Sequence, residues 1–378
     1  MLNYVRWLVF TGALIPLAYY LFALHAARRF FGAPRPPEPP HTPPVSILIP
    51  VHRPAHDVYG IFLSLCRQDY PGYEILFGAE DESDPAVPVI RRLMAEHPES
   101  HIRLITSHEE LGTSGKVSKL AHLAREARHD VLVVCDDDVR VNADFLRAIV
   151  KPLRDRRVGA VTCFYLSLPD NFWAELEALG ASSDFFPGVL VARELEGIRF
   201  ALGAAIALPR ARLAEIGGFE ALADYYADDY ELGRRIADSG YRVELARTTV
   251  WTAYPARDFS SYFAHQLRGA LVVRHARPSG HFGLLFTQGL PWAIAVVALA
   301  ASAGGAIVYV SAYLALRLAV AWSVGVVGLD DAILRRKWWL IPLRDVLAFL
   351  VWVASFFRNR ITWRDRQFLV RGGRLVPL

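Results

Sequence analysis

The sequence predicts an α/β domain with a mostly parallel sheet, carried between membrane helices. Three observations predict it. Short apolar runs alternate with helix-period segments from Val45 to Ala246, the rhythm of a sheet built from βαβ units. One run, Val131–Cys135, leads straight into Asp136, Asp137 and Asp138. That puts acids at the carboxyl edge of a strand, where open α/β sheets bind ligands. Both ends of the chain are apolar. Trp7–Ala26 holds no charged residue and is long enough to span hydrocarbon, and Phe282 onward is apolar again.

Composition agrees. The 378 residues are 53% hydrophobic and mean hydropathy is +0.23, high for a purely soluble enzyme, with the surplus at the two ends. Net charge is +4. The basic residues gather beside the apolar ends at Arg28, Arg29, Arg335, Arg336, Lys337, Arg358 and Arg360. That placement flanks a membrane and is not a nucleic-acid footprint, so no nucleic-acid partner is expected. The three cysteines, Cys66, Cys135 and Cys163, have no CxxC spacing, which predicts reduced thiols in a cytosolic domain.

In chain order, residues 1–31 form the predicted anchor and residues 32–44, GAPRPPEPPHTPP, a stiff linker. Residues 45–280 form the predicted α/β domain. Val45–Val51 is its first strand, His56–Arg67 a helix, and Glu74–Ala79 a strand ending in Glu80, Asp81, Glu82 and Asp84. Val87–Glu96 is a helix, His101–Ile105 a strand, and Lys116–Ala127 a helix after the turn Gly112-Thr113-Ser114-Gly115. After the aspartate triplet come the helix Ala143–Leu153, the strands Ala160–Phe164 and Phe200–Leu208, and the helix Arg210–Ile216 stopped by Gly217-Gly218. The helix Asp228–Ser239 opens on two acids, followed by the strand Tyr241–Ala246. Residues 281–378 hold two predicted spans, Gly283–Ala300 and Gly305–Val327, a third apolar run, Trp338–Phe357, and a basic tail.

Three adjacent carboxylates in a crevice repel one another, and a divalent cation relieves the repulsion. Alternate residues of an extended chain point the same way, so Asp136 and Asp138 are expected to share one ligand while Asp137 points elsewhere. Taken alone, the triplet also fits a polar turn of solvated aspartates. Lys116 could pair with phosphate or be a solvated helix-start lysine. Asp228 and Asp229 could complement the helix dipole.

The ordered set of segments narrows these alternatives. VSILIPVHR, FGAEDESDPAV, GKVSKL, VCDDDVRV, FALGAAIAL, IGGF, ADDYELGRRIADSGYRV, HQLRG and WRDRQF together resemble the ceramide glucosyltransferase family of GT-A glycosyltransferases. Its bacterial branch includes hopanoid-biosynthesis enzymes that add N-acetylglucosamine to bacteriohopanetetrol. The resemblance runs over nearly the whole chain. It implies a GT-A fold, a UDP-sugar donor, a lipid acceptor and Mg²⁺ or Mn²⁺. It implies Asp81 near the nucleotide's uracil and ribose, Asp136 and Asp138 at ribose and metal, and Asp229 as general base. Lys116 and Gln266 are expected at the nucleotide-sugar, and Arg268 at the departing phosphate. Two positions depart from the family pattern (Q/R)xxRW and KVSN. Gly269 stands where tryptophan is usual, with His265 at the Q/R position, and Lys119 stands where asparagine is usual.

The expected reaction is a single displacement with inversion, moving one glucose or N-acetylglucosamine to a hopanoid or ceramide-like hydroxyl. Rival readings are a processive polysaccharide synthase and a catalytically inactive nucleotide-sugar-binding membrane protein. Phe172, Trp173, Phe185 and Phe186 form a candidate membrane-facing lip. The positive-inside rule favours an external N-terminus and a cytoplasmic next segment. With the resemblance to the bacterial branch, this implies a bacterial inner-membrane protein whose catalytic domain faces the cytoplasm. Trp338–Phe357 is expected to be interfacial or re-entrant, because Arg344 and Asp345 are costly in hydrocarbon and the tail is basic.

Overall fold

The computed structural model of the chain describes residues 2–34, 41–53, 58–253, 256–300, 302–358, 360–363 and 366–377. Residues 35–40 of the proline-rich linker, the expected helix start at His56 and the tail's Arg364 lie outside the described residues. The chain divides into a sheet unit, Pro36–Leu168 with Glu196–Ala253 and Trp363–Leu378, and a helical unit, Met1–Arg35 with Pro169–Leu195 and Tyr254–Thr362. Residues 169–195 and 254–280 therefore join the helical unit, although they lie within the stretch read as one catalytic domain. Helices with apolar faces bury them against other helices, whatever their position in the chain.

Among its described residues the sheet unit holds seven strands in one sheet: β1 Val45–Pro50, β2 Tyr73–Ala79, β3 Ile102–Thr106, β4 Val131–Cys135, β5 Val158–Ser167, β6 Ala205–Pro209 and β7 Arg242–Thr252. Their order is β3-β2-β1-β4-β6-β5-β7. β1 pairs in parallel with β2 and β4, and β2 in parallel with β3. β6 runs antiparallel to β4 and β5, while β5 and β7 are parallel. The sheet is thus mixed and mostly parallel. Every residue of β1 and β4 is buried, as expected of parallel strands covered on both faces. The core joins Ile47, Ile49, Phe62, Phe77, Val133 and Phe145. All three cysteines are unbridged, and Cys135 and Cys163 are buried.

Most boundaries fall within a residue or two of expectation. The strand predicted at Phe200 begins only at Ala205. Residues 201 and 202 bond elsewhere: Ala201 N–H donates to the Asp229 carbonyl at 3.4 Å, and Leu202 N–H to the Thr162 hydroxyl at 3.0 Å. β5 and β7 are longer than the apolar runs that announced them, because each borrows the other's ladder through polar positions up to Ser167 and Thr252.

In the helical unit, Leu2–Gly32, Phe259–Ala276, Ala303–Ala321 and Ile341–Ser355 are the long helices among the described residues. Tyr20 accepts from Gly289 N–H at 3.0 Å, and Tyr309 donates to the Ala13 carbonyl at 2.8 Å. Among the described residues, three segments are long and apolar enough to cross a membrane: Asn3–Gly32, Ala303–Gly328 and Ala332–Ser355. A fourth exists if the pair Pro278–Thr287 and Gly289–Leu299, bent by 48°, counts as one span. Of the two charges that argued against Trp338–Phe357 as a span, Asp345 has charged and polar partners. The Arg317 guanidinium donates to both oxygens of Asp345 at 3.0 and 2.7 Å and to the Ser183 carbonyl at 2.7 Å. Tyr313 donates to Asp345 at 3.0 Å. Ser183 lies in a π-helical turn, Ala181–Phe185, which frees a backbone carbonyl from the α-helical ladder. A charge with a bidentate partner is far cheaper to bury than a lone one. Of the aromatic residues read as a lip, Phe172 and Phe185 are exposed and Phe186 is buried.

Candidate active site

Parallel strands carry their carboxyl ends to one edge, so the acids that follow β2 and β4 share an edge of the sheet. Asp81 lies in an exposed turn, accepting from Ser83 N–H at 2.6 Å and Ser83 Oγ at 2.5 Å. Those two bonds hold its carboxyl below the usual carboxylate range. Asp84 is buried and structural: it accepts from Arg53 N–H at 3.0 Å and Ala86 N–H at 2.9 Å.

In the structure the three carboxylates of the triplet after β4 meet three different partners. The chain turns at once, with Val139 N–H donating to the Asp136 carbonyl at 3.2 Å. Asp137 turns to β1 and accepts from His52 N–H at 2.8 Å. Asp136 Oδ1 lies 2.6 Å from Lys116 Nζ. Asp138 Oδ2 accepts from Thr252 Oγ1 at 2.5 Å. Thr252 ends β7, a contact across 114 residues that nothing local announces.

Lys116 stands in the first turn of the helix Gly115–Glu126, whose N-cap Ser114 accepts from Val117 N–H at 3.4 Å. Its ammonium also lies 3.8 Å from Asp228 Oδ2. Burial disfavours the charge, but Asp136, Asp228 and Asp229 outweigh it and hold Lys116 protonated well above its ordinary value. Lys119 has a separate task. It is buried and donates to the Val51 carbonyl at 2.9 Å, just beyond the end of β1.

Asp228 and Asp229 open the helix Asp228–Asp238. Asp229 Oδ1 accepts from Tyr230 N–H at 2.7 Å. A Cβ at Gly203 would come within 2.7 Å of Asp229 Oδ2, so the carboxylate rests against a glycine of FALGAAIAL. Burial, reinforced by Asp228 and opposed by Lys116, pushes the Asp229 carboxyl up to about 6. Burial, opposed by Lys116 and reinforced by Asp138, pushes Asp136 up to about 7. Three carboxylates, Asp136, Asp228 and Asp229, around one ammonium leave the site short of positive charge.

That deficit suits a divalent cation. Among the described residues no three His, Cys, Asp or Glu side chains converge as a ready cage. Asp136 and Asp138 offer an incomplete set, as Mg²⁺-type sites do when ligand phosphates and water supply the remaining positions.

The loop before Asp228 is held from two directions. Asp224 accepts from Thr113 N–H at 3.0 Å, and Ser114 N–H donates to the Ala223 carbonyl at 2.8 Å. On the other side, Tyr226 N–H donates to the Gly373 carbonyl at 3.0 Å and Leu375 N–H to the Asp224 carbonyl at 2.9 Å. Gly373 and Leu375 belong to the tail hairpin of β9 Arg366–Arg371 and β10 Arg374–Pro377, with β8 Arg360–Trp363 beside β9. Sequence reasoning gave this tail no part in supporting the acid helix.

Gln266 and Arg268 lie on the helix Phe259–Ala276 of the helical unit. Arg268 is half-buried. Gln266 is bound at both ends of its amide, to Glu177 at 3.2 Å and Arg344 at 3.1 Å. Beside Gly269, where the resembled family has tryptophan, a Cβ would meet open space.

Gly203→Ala tests whether the geometry around Asp229 matters. The added methyl displaces the carboxylate, and a misplacement of about 1 Å costs on the order of 10²-fold in turnover. Nucleotide binding should persist. Unchanged turnover in steady-state assays would show that Asp229 has no fixed catalytic position.

A mostly parallel sheet edged with acids, in a chain that also holds candidate membrane helices, is a GT-A-type architecture. The chain belongs to Glycosyl transferase family 21, whose sequence profile matches residues 8–376. It is 24% identical over 209 residues to Ceramide glucosyltransferase 1 of Caenorhabditis elegans, covering 55% of this chain and 45% of that protein. It is 24% identical over 235 residues to Ceramide glucosyltransferase 3 of the same organism, covering 62% and 49%. The chain thus spans about half the length of the curated relatives it matches. Among solved structures, a mannosyltransferase from Pyrobaculum calidifontis in complex with GDP-Man and Mn²⁺ superposes with a TM-score of 0.60 at 23% identity, covering 93% of this chain and 99% of that one. That likeness is one of fold.

Proposed function

We propose that this protein is a membrane-bound inverting glycosyltransferase that moves a single sugar from a UDP-sugar to a lipid hydroxyl. The observation that carries the reading is the acid cluster around Lys116, with Asp136 at 2.6 Å and Asp228 at 3.8 Å. Kinship with ceramide glucosyltransferases supports a lipid acceptor and a hexose donor. Glucose and N-acetylglucosamine are the candidate sugars, and a hopanoid or ceramide-like lipid the candidate acceptor.

Asp229 takes the proton of the acceptor hydroxyl as its oxygen attacks the anomeric carbon and the bond to UDP breaks. Its raised pKa suits a base, and the Tyr230 N–H bond orients it. Lys116 holds Asp136 and Asp228 apart in charge and offers an ammonium to the diphosphate. Asp81 reaches the nucleoside end from the exit of β2. Arg268 stabilises the leaving phosphate. Asp138 and Asp136 would hold Mg²⁺ or Mn²⁺, which when bound neutralises diphosphate charge. One base and one displacement require no covalent intermediate.

The test is UDP release from UDP-glucose or UDP-N-acetylglucosamine with a lipid extract and a divalent cation, followed by mass spectrometry of the lipids. Lipid-dependent release and a single added hexose are expected. No release would favour an inactive binding protein, and a polymeric product a processive synthase.

The reading includes a bacterial inner membrane and a cytoplasmic sheet unit. Backbone bonds between Gly373 or Leu375 and the loop 224–226 tie the tail to the sheet unit, so the chain returns to the compartment of that unit after its last apolar segment. An even number of crossings must then lie between. Three candidates stand there, the bent pair, Ala303–Gly328 and Ala332–Ser355. The bent pair Pro278–Leu299 is the one we assign as re-entrant. A single cysteine introduced at Ala300 or Ser302 should then stay shielded from an impermeant thiol reagent in intact cells, whereas one at Asp330, between the two crossing segments, should be labelled. Ready labelling at Ala300 or Ser302 would show that the bent pair crosses.

A further inference from the structure

In the helical unit, Glu177, Tyr262, His265, Gln266 and Arg344 form a buried polar cluster outside the acid cleft. Glu177 comes from the helix Phe172–Gly180, Tyr262, His265 and Gln266 from Phe259–Ala276, and Arg344 from Ile341–Ser355. Glu177 Oε1 pairs with His265 Nδ1 and accepts from Gln266 Nε2 at 3.2 Å. Arg344 donates to Gln266 Oε1 at 3.1 Å. Four polar positions remain idle: Glu177 Oε2, Arg344 Nε and NH1, and Tyr262 Oη have no hydrogen-bond partner. Their side chains are deeply buried, with exposures of 3%, 7% and 0% for Glu177, Arg344 and Tyr262. Tyr262 belongs to one apolar cluster with Leu179, Leu340, Ile341 and Leu347. Gly180 permits the arrangement, since a Cβ there would lie 2.3 Å from Arg344 Nε.

Buried polar groups are almost always paired, and a concentration of idle ones marks a missing occupant. One idle carboxylate oxygen faces the need for a donor, and an idle guanidinium and phenol the need for an acceptor. A hydroxyl or secondary amide is both. A phosphate or carboxylate would satisfy Arg344 but set like charge beside Glu177, and an ammonium would do the reverse beside Arg344. The apolar walls select a molecule whose remainder is hydrocarbon. We propose that this cluster is a binding site for a neutral hydroxyl- or amide-bearing lipid head, holding a non-reacting polar group of the acceptor. This rests on the lipid-acceptor reading of the preceding section.

The test uses the full chain in nanodiscs and a long-chain alkyl diol as probe, with the matched alkane and alkyl phosphate as comparisons. Binding is read by tryptophan fluorescence, and UDP binding is measured on the same preparations. The diol should bind and the alkane and alkyl phosphate should not. Glu177→Gln should weaken the diol by about 10–100-fold, the scale of a charge-assisted hydrogen bond, and raise KM for the lipid acceptor by a like factor while the Kd for UDP is unmoved. Tyr262→Phe, which removes one oxygen and keeps the packing, should also weaken the diol if Glu177→Gln fails to fold. Equal diol affinity in wild type and in Tyr262→Phe and Glu177→Gln would overturn the site and leave internal water as the occupant. Preferred binding of the alkyl phosphate would overturn the neutral-head assignment. UDP binding decides the reading of the sheet unit separately, because the diol measurement does not depend on it.

Discussion

Asp229→Asn should abolish most turnover, by about 10²–10⁴-fold, the usual contribution of a general base. UDP-sugar binding should survive, because the amide keeps the shape and the oxygen that accepts from Tyr230 N–H at 2.7 Å. A second readout is pH. The carboxyl is pushed up to about 6 by burial and by Asp228, and only the ionised form accepts a proton. Wild-type activity should therefore fall as pH drops through about 6. Asp228→Asn removes a neighbouring negative charge and should move that midpoint down. If Asp228→Asn loses turnover and Asp229→Asn keeps it, the two roles are reversed.

Asp138→Ala should remove the divalent-dependent part of UDP-sugar affinity, by at least the roughly 10–100-fold that even outer-shell partners of a metal command. The fold should persist. The lost protein contact is the bond from Thr252 Oγ1, a contribution of about 1.5–3 kcal/mol for a charged acceptor. Calorimetric titration of UDP with and without Mn²⁺ checks this, alongside thermal unfolding. An unchanged Mn²⁺ dependence would remove Asp138 from the metal site. Asp136→Ala should differ, since it also leaves Lys116 without its 2.6 Å partner.

Both effects fall on residues that the linear sequence makes conspicuous. Val131–Cys135 is five apolar residues in a row, and acids at the end of such a run point to a ligand edge. The helix at Asp228 is equally plain, with two acids before an amphipathic stretch. These signals are local: strand and helix periodicity and charge at an element's end are written within a dozen residues.

The supports of the same site are not. Gly203 reads as one small residue among several in FALGAAIAL, and only packing sets it against Asp229 Oδ2. Thr252 ends a strand whose polar half carries no apolar pattern, yet it holds Asp138. Arg317 and Asp345, read singly, are charges misplaced in apolar segments, and they become a bidentate pair only when two helices meet. Glu177, His265 and Gln266 meet across 88 and 89 residues.

By itself the sequence determined the alternation of strands and helices, the acids at the strand ends, the apolar segments and the kinship that they carry. The tertiary structure alone decided which distant side chains face one another, where a glycine is required, how the tail braces the loop before Asp228, and how charges inside apolar helices find partners. The physical reason is range. Backbone preference and hydrophobic period act between residues a few positions apart, whereas a side chain's partner is chosen by packing and desolvation after the elements have closed on one another.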